Sequence, residues 1–256
     1  MMAWQDLRQP VVMSWSGGKD AMLALCRLRE AGVPIHALIA MCEPDAELKS
    51  HGVPRALMQA QADALSLPLW LVDAPSSGYL AAWQGALSRA QGEGIAHVAF
   101  GDIDLQAHRD WQEQVLGGMG LNAHFPLWGE ARPDLGRELL SRGIRARVVA
   151  LDAKRLPEAF LAKEYDQAFV DALPEGVCPV GEDGEFHTFV FDGPGMRWAV
   201  AHRVAQTRLE SPAFPPGAQR WQAYGIEGAQ GHFVTRQLRQ GVGHLAHGLA
   251  AQAFDR

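Results

Sequence analysis

Cysteine is scarce in this chain: Cys26, Cys42 and Cys178 are odd in number and stand in neither a CxxC pair nor a Cys/His zinc spacing. That argues against a disulfide framework and a structural metal, and it suits a reducing cytoplasm. No run approaches the roughly 18 apolar residues that a membrane span needs. No basic segment followed by a long apolar stretch opens the chain, so the expectation is a soluble protein without an export signal. An excess of positive charge is lacking too: 23 Lys and Arg against 29 Asp and Glu leave a net charge of −6, with no global field to collect nucleic acid or anionic lipid. The 48% hydrophobic, 20% charged composition is that of an ordinary globular protein, and 256 residues suffice for one large domain or a main domain with a smaller one.

What is there is a repeating unit. Val11 to Ser14 is a short apolar run ending in glycines; Met22, Leu25 and Leu28 then recur at helical spacing until Gly32 and Pro34. Ile35 to Met41 reads as a second buried strand. Beyond a polar loop holding His51 and Gly52, Pro54 suits a first helical residue, with Leu57, Gln61 and Ala64 on one face. Leu69 to Val72, an alanine-rich helix over 78–91, and His97 to Phe100 continue the alternation; Asp102 to Arg109 is polar, and Trp111, Val115 and Met119 form a helical stripe. Strands alternating with helices imply parallel pairing and an open α/β sheet sandwiched by helices.

From about residue 122 the rhythm loosens: "HFPLWG", a helix near 134–142, a strand from Arg145 to Ala150 and two shorter helical segments. A tight acidic turn then precedes Phe189, Val190 and Phe191. The domains expected are therefore 1–122 for the main unit and 123–200 for a smaller α+β lobe closing over the strand ends. The stretch 201–256, with "FPPG" as a turn or linker, is a tail without an assigned role.

The glycines lie in "SGGKD", residues 16–20. A Walker loop requires Ser or Thr after its lysine, whereas Asp20 follows Lys19; a dinucleotide fingerprint requires spaced glycines, whereas Gly17 and Gly18 are adjacent. What remains is a short turn between the first strand and the first helix. Its glycine amides and the helix start can approach an oxyanion, Ser16 can donate, and Lys19 adds a cation. Such a turn suits a leaving pyrophosphate, although Ser-Gly-Gly also serves elsewhere as a plain turn before a helix.

"SGGKD" after "VVMSW" resembles the PP-loop of the ATP pyrophosphatases, usually SGGxDS. "HGVPRALMQAQADALSLPL", "FGDIDLQAHRDWQEQVLGGMGLNAHFPLWG" and "PEGVCPVGEDGEFHTFVFDGP" resemble the diphthine–ammonia ligase branch of that superfamily, in its bacterial type. These segments keep the family's order over about residues 10–195. The resemblance implies an adenine nucleotide alpha hydrolase-like fold with a C-terminal substrate lobe, and cleavage of ATP to AMP and pyrophosphate to amidate a carboxylate. Two positions depart from the family pattern. Ala21 replaces the serine after SGGKD, and "CPVGE" stands where bacterial relatives commonly read DPCGE, which makes a cysteine-dependent step doubtful.

With that resemblance, Ser14, Ser16, Gly17, Gly18, Lys19, Asp20, Gly101 and Asp102 are the expected ATP contacts, with Lys19 and Mg²⁺ neutralising the pyrophosphate. Asp20 is the candidate metal carboxylate, or else a helix-dipole carboxylate. The resemblance puts Glu182 and Glu185 at the acceptor site, as carboxylates that hold ammonium or take a proton. His187 remains open between a site residue and a bystander. His51, His108 and Arg109 are candidates for the acceptor, Arg109 as a bidentate carboxylate clamp. His232, His244 and His247 lack a third close ligand and read as a polar helix face. The partners expected are a small-molecule or protein carboxylate and ammonia, with room for a homodimer and without membrane or nucleic acid. Two other readings stay open: a non-catalytic ATP or AMP sensor, which Ala21 favours, and an RNA-modifying PP-loop enzyme, which the acidic balance disfavours.

Overall fold

The computed structural model describes residues 3–42, 53–75, 78–210 and 221–228, the backbone alone for 205–210 and 221–228. Five parallel strands form the first sheet: β1 (Val11–Ser14), β2 (Ile35–Cys42), β3 (Leu69–Asp73), β4 (His97–Ala99) and β5 (Asn122–His124), in the order β3-β2-β1-β4-β5. The fold is the expected α/β sheet of adenine nucleotide alpha hydrolase-like type. Its strands are apolar on both faces because helices cover both. Val11 and Met13 face the cluster under α1 (Lys19–Glu30) and α2 (Arg55–Leu65), while Val12 faces the one under α3 (Tyr79–Gly92) and α4 (Gln106–Gly118). Helices thus change face between β1 and β4, and that reversal opens the crevice where sheets of this kind bind ligands.

A second sheet, ordered β7-β6-β9-β8, is antiparallel throughout. After α5 (Arg132–Ser141) it is built from β6 (Arg145–Asp152), β7 (Phe186–Asp192), β8 (His202–Glu210) and β9 (Trp221–Gly228), with α6 (Gln167–Asp171) between β6 and β7. Its apolar face, with Val148 and Phe186, joins Phe160 and Phe169 from the β6–β7 connection and Leu25 and Leu28 of α1 in one buried cluster. β7 lies at the sheet's edge, so its unpaired backbone groups must find partners elsewhere.

Several boundaries differ from expectation. Pro54 caps α2 in extended conformation instead of opening it, α4 begins four residues into the supposedly polar stretch, and β4 ends at Ala99. β5 is a short strand in a segment read as irregular, and β8 and β9 fall in the stretch for which no element was assigned.

Candidate functional site

The SGGKD turn leaves β1 at the crevice. Gly17 adopts φ +73°, a left-handed conformation in which a Cβ would also lie 2.8 Å from Gln61 Oε1, so only glycine fits without strain. Its carbonyl accepts the Val190 amide of β7 at 2.8 Å and Gln61 Nε2 at 2.9 Å. Ser16 Oγ accepts the Gly18 amide at 3.2 Å, and the Lys19 amide donates to Thr188 Oγ1 at 3.1 Å. Thr188 therefore caps α1 from another sheet, which offsets the lack of a capping side chain at Gly18. Ser14 ends β1 opposite Ile39. Gly101, just beyond β4, packs directly on the α1 backbone: a Cβ there would meet the Ala21 nitrogen at 2.9 Å. That contact brings the β1 and β4 ends together.

Lys19 is 2% exposed. Its ammonium pairs with Asp20 Oδ2 at 2.8 Å and sits over the rings of Phe186 and Tyr165, at 5.3 and 5.9 Å. Asp20 Oδ1 is shielded from solvent and has no hydrogen-bond partner among the described residues. Around this pair gather further acids. Burial pushes the Glu182 carboxyl up to about 7; the Asp20 charge adds to the rise, Lys19 opposes it, and Asp104 and Asp102 contribute in turn. Asp102 accepts from His108 Nδ1 at 3.2 Å and holds that imidazole above its ordinary pKa, with Glu182 assisting. Two pairs, Lys19–Asp20 after β1 and Asp102–His108 after β4, are thus linked electrostatically through Glu182.

Other expected residues go elsewhere. Glu185 is engaged within its own turn: it is wholly buried, accepting the Cys178 and Asp183 amides at 2.8 and 3.0 Å and pairing with Arg155 at 3.0 Å. A carboxylate so fully occupied holds the turn's shape. Arg109 donates its Nε–H to Glu113 at 2.8 Å and stacks 4.7 Å over Trp128. His187 follows Phe186 and precedes Thr188, hence belongs to the opposite face of β7 from the residues that meet Lys19. His51, like His232, His244 and His247, lies outside the described residues.

Two residues escaped sequence reasoning. Gln61 is fully buried against the loop, and Arg132 bridges Asp104, at 2.7 and 2.9 Å, to Asp183 at 2.8 Å. Arg132 thereby ties the segment after β4 to the acidic turn that carries Glu182. A glutamine amid apolar helix positions was the available signal for the first; the second left none. A shallow groove lined by Leu80, Trp111, Val115 and Met119 lies between α3 and α4, but no titratable side chain lines it, and it is remote in character from the acid cluster.

The family model described as the diphthamide synthase N-terminal domain matches residues 9–123, and that of the diphthamide synthase C-terminal domain matches residues 133–208. The diphthine–ammonia ligase of Homo sapiens is 30% identical over 132 residues, 49% of each chain. That of Rattus norvegicus is 25% identical over 233 residues, 79% of this chain and 86% of the relative. The chain thus matches about half the length of the human relative. No helix among the described residues is long and apolar enough to cross a membrane. Two domain models matching in order, the first of them spanning the glycine turn, establish that the chain belongs to the diphthine–ammonia ligase-like family.

Proposed function

We propose that the chain is an ATP-dependent ligase that activates a carboxylate as its adenylate and passes ammonia to it. The observation that carries this reading is the electrostatic linkage of Lys19, Asp20, Asp102 and Glu182 beside the glycine turn at the sheet's reversal point. In this proposal Ser14, Ser16, Gly17 and Gly18 line the triphosphate, and Lys19 offsets the charge of the departing pyrophosphate. Gly101 and Asp102 meet the nucleotide from β4. A carboxylate oxygen of the acceptor attacks the α-phosphorus; the bond to the β-phosphate oxygen breaks, and pyrophosphate leaves with the electron pair. Ammonia then attacks the acyl carbon and AMP leaves, while Glu182 takes the proton that the nitrogen sheds. A carboxyl raised to about 7 is a stronger base than an ordinary one.

Mg²⁺ suits the same place. The unpartnered Asp20 Oδ1 is what a divalent cation would satisfy, with Asp20 as its protein donor. Bound there, it would supply charge neutralisation for the triphosphate.

His108 and Glu182 border the acceptor, and the family relatives make diphthine the first acceptor to offer, followed by small carboxylic acids. The test is incubation with ATP, Mg²⁺, ammonium and each acceptor, with products resolved by chromatography. AMP and pyrophosphate in equal amounts, appearing only with acceptor, are expected; ADP and phosphate would rule the mechanism out.

A further inference from the structure

Gln61 lies in the middle of α2 and is 0% exposed. A buried carboxamide requires partners for both ends, and each is present. Its Oε1 accepts from Trp15 Nε1 at 3.0 Å, and its Nε2 donates to Gly17 O at 2.9 Å and to Val190 O at 2.6 Å. The partners settle the amide's orientation, because an indole N–H only donates and carbonyls only accept. One side chain thus joins three separate pieces: the start of the turn, its first glycine, and the outer edge of β7. The Val190 amide donates back to the same Gly17 carbonyl at 2.8 Å, so that oxygen is gripped by two donors.

A trans peptide carries its C=O and N–H on opposite sides. With no cis bond in the described chain, drawing the Gly17 carbonyl toward α2 and β7 turns the Gly18 amide the other way. There it meets Ser16 Oγ at 3.2 Å, a contact that a phosphate oxygen can replace. Without the grip, a glycine pair has little to stop the peptide from flipping and offering a carbonyl to the anion instead.

We propose that Gln61 is a positioning residue for phosphate binding, holding the Gly17–Gly18 peptide, through β7 of the second sheet, with its N–H toward the triphosphate. The inference rests on the ATP reading above and adds that the nucleotide site is completed from the second sheet. It also accounts for why a polar side chain is kept at a fully buried helix position where an apolar one would pack.

Calorimetric titration of the whole chain with ATP, pyrophosphate and AMP separates this role from a structural one. Gln61→Met preserves length and removes all three hydrogen bonds. The expected result is at least tenfold weaker binding of ATP and pyrophosphate, with AMP, which lacks the β and γ phosphates, changed less than twofold. Unaltered ATP and pyrophosphate affinity alongside a lower melting temperature would overturn the proposal, as would a parallel loss of AMP. Should Gln61→Met fail to fold, Gln61→Glu serves: its protonated acid still donates to a carbonyl, whereas the ionised form repels two. The ATP affinity of that variant relative to wild type should fall steadily from pH 5 to 9.5, and a flat ratio would overturn the proposal. Wild-type protein that binds no ATP would remove the nucleotide reading itself, and this inference with it.

Discussion

The phosphate loop and the acidic turn are both short, glycine-bearing turns, yet they are held in different ways. The acidic turn, with Gly181 and Gly184 at φ +69° and +79°, takes its local shape from Glu185, which accepts amides from positions seven and two residues earlier, while Arg132 and Arg155 add ties from outside. The loop is fastened from without, by Gln61, 44 residues beyond Gly17, and by Thr188, 169 residues beyond Lys19. The hydrogen bonds that shape the first are local in sequence, whereas those that hold the second join both sheets. Function divides along the same line. Of its three carboxyls the acidic turn spends Glu185 on its own shape and Asp183 on Arg132, and Glu182 is the one proposed for the site.

The largest expected effect comes from the loop. Lys19→Met removes the ammonium from the departing pyrophosphate, and AMP release should fall by about 10²–10³, the usual loss for one electrostatic contact to developing charge. Circular dichroism should show the fold retained. Next is Glu182→Gln, expected to slow amide formation about 10²-fold at saturating ATP while leaving ATP affinity unchanged. In the wild type the rate should fall as pH drops through about 7, since the base is lost on protonation, and the variant should lack that limb. The stability signature runs the other way. A carboxyl raised in the folded state favours folding while protonated, and its contribution fades as pH climbs from the ordinary carboxylate range through about 7. Glu182→Gln should therefore melt higher than wild type at pH 8, and equal melting there would show that the carboxyl is not strained.

Glu185→Gln tests whether the two regions separate. It leaves Arg155 without its charged partner inside the turn, at a cost of about 1–3 kcal/mol in urea denaturation. ATP affinity should not change; a loss comparable to that of Lys19→Met would mean that turn and loop act as one unit. The smallest effect belongs to Thr188→Val, which deletes the cap supplied to α1 from β7 and should cost about 1 kcal/mol.

Much of the first sheet was legible because each strand is short, apolar on both sides and followed by a helical stripe. β5 was not, since Asn122, Ala123 and His124 carry little apolar content and pairing with β4 is what makes them a strand. The SGGKD turn could be read locally, because adjacent glycines between an apolar run and a helical stripe mark a tight turn at a strand end. Glu182 and Glu185 looked alike in the sequence because burial decides between them, and burial depends on how the turn closes on Cys178. Gln61 and Arg132 were invisible as site residues for a related reason: their partners lie tens of residues away along the chain.

The most direct test of the account is the structure of this chain bound to a non-hydrolysable ATP analogue with Mg²⁺. The β and γ phosphates should lie against the Gly17, Gly18 and Lys19 backbone, with the cation touching Asp20. A triphosphate seated away from that turn, with the Gly17 to Lys19 backbone contacting nothing, would contradict it.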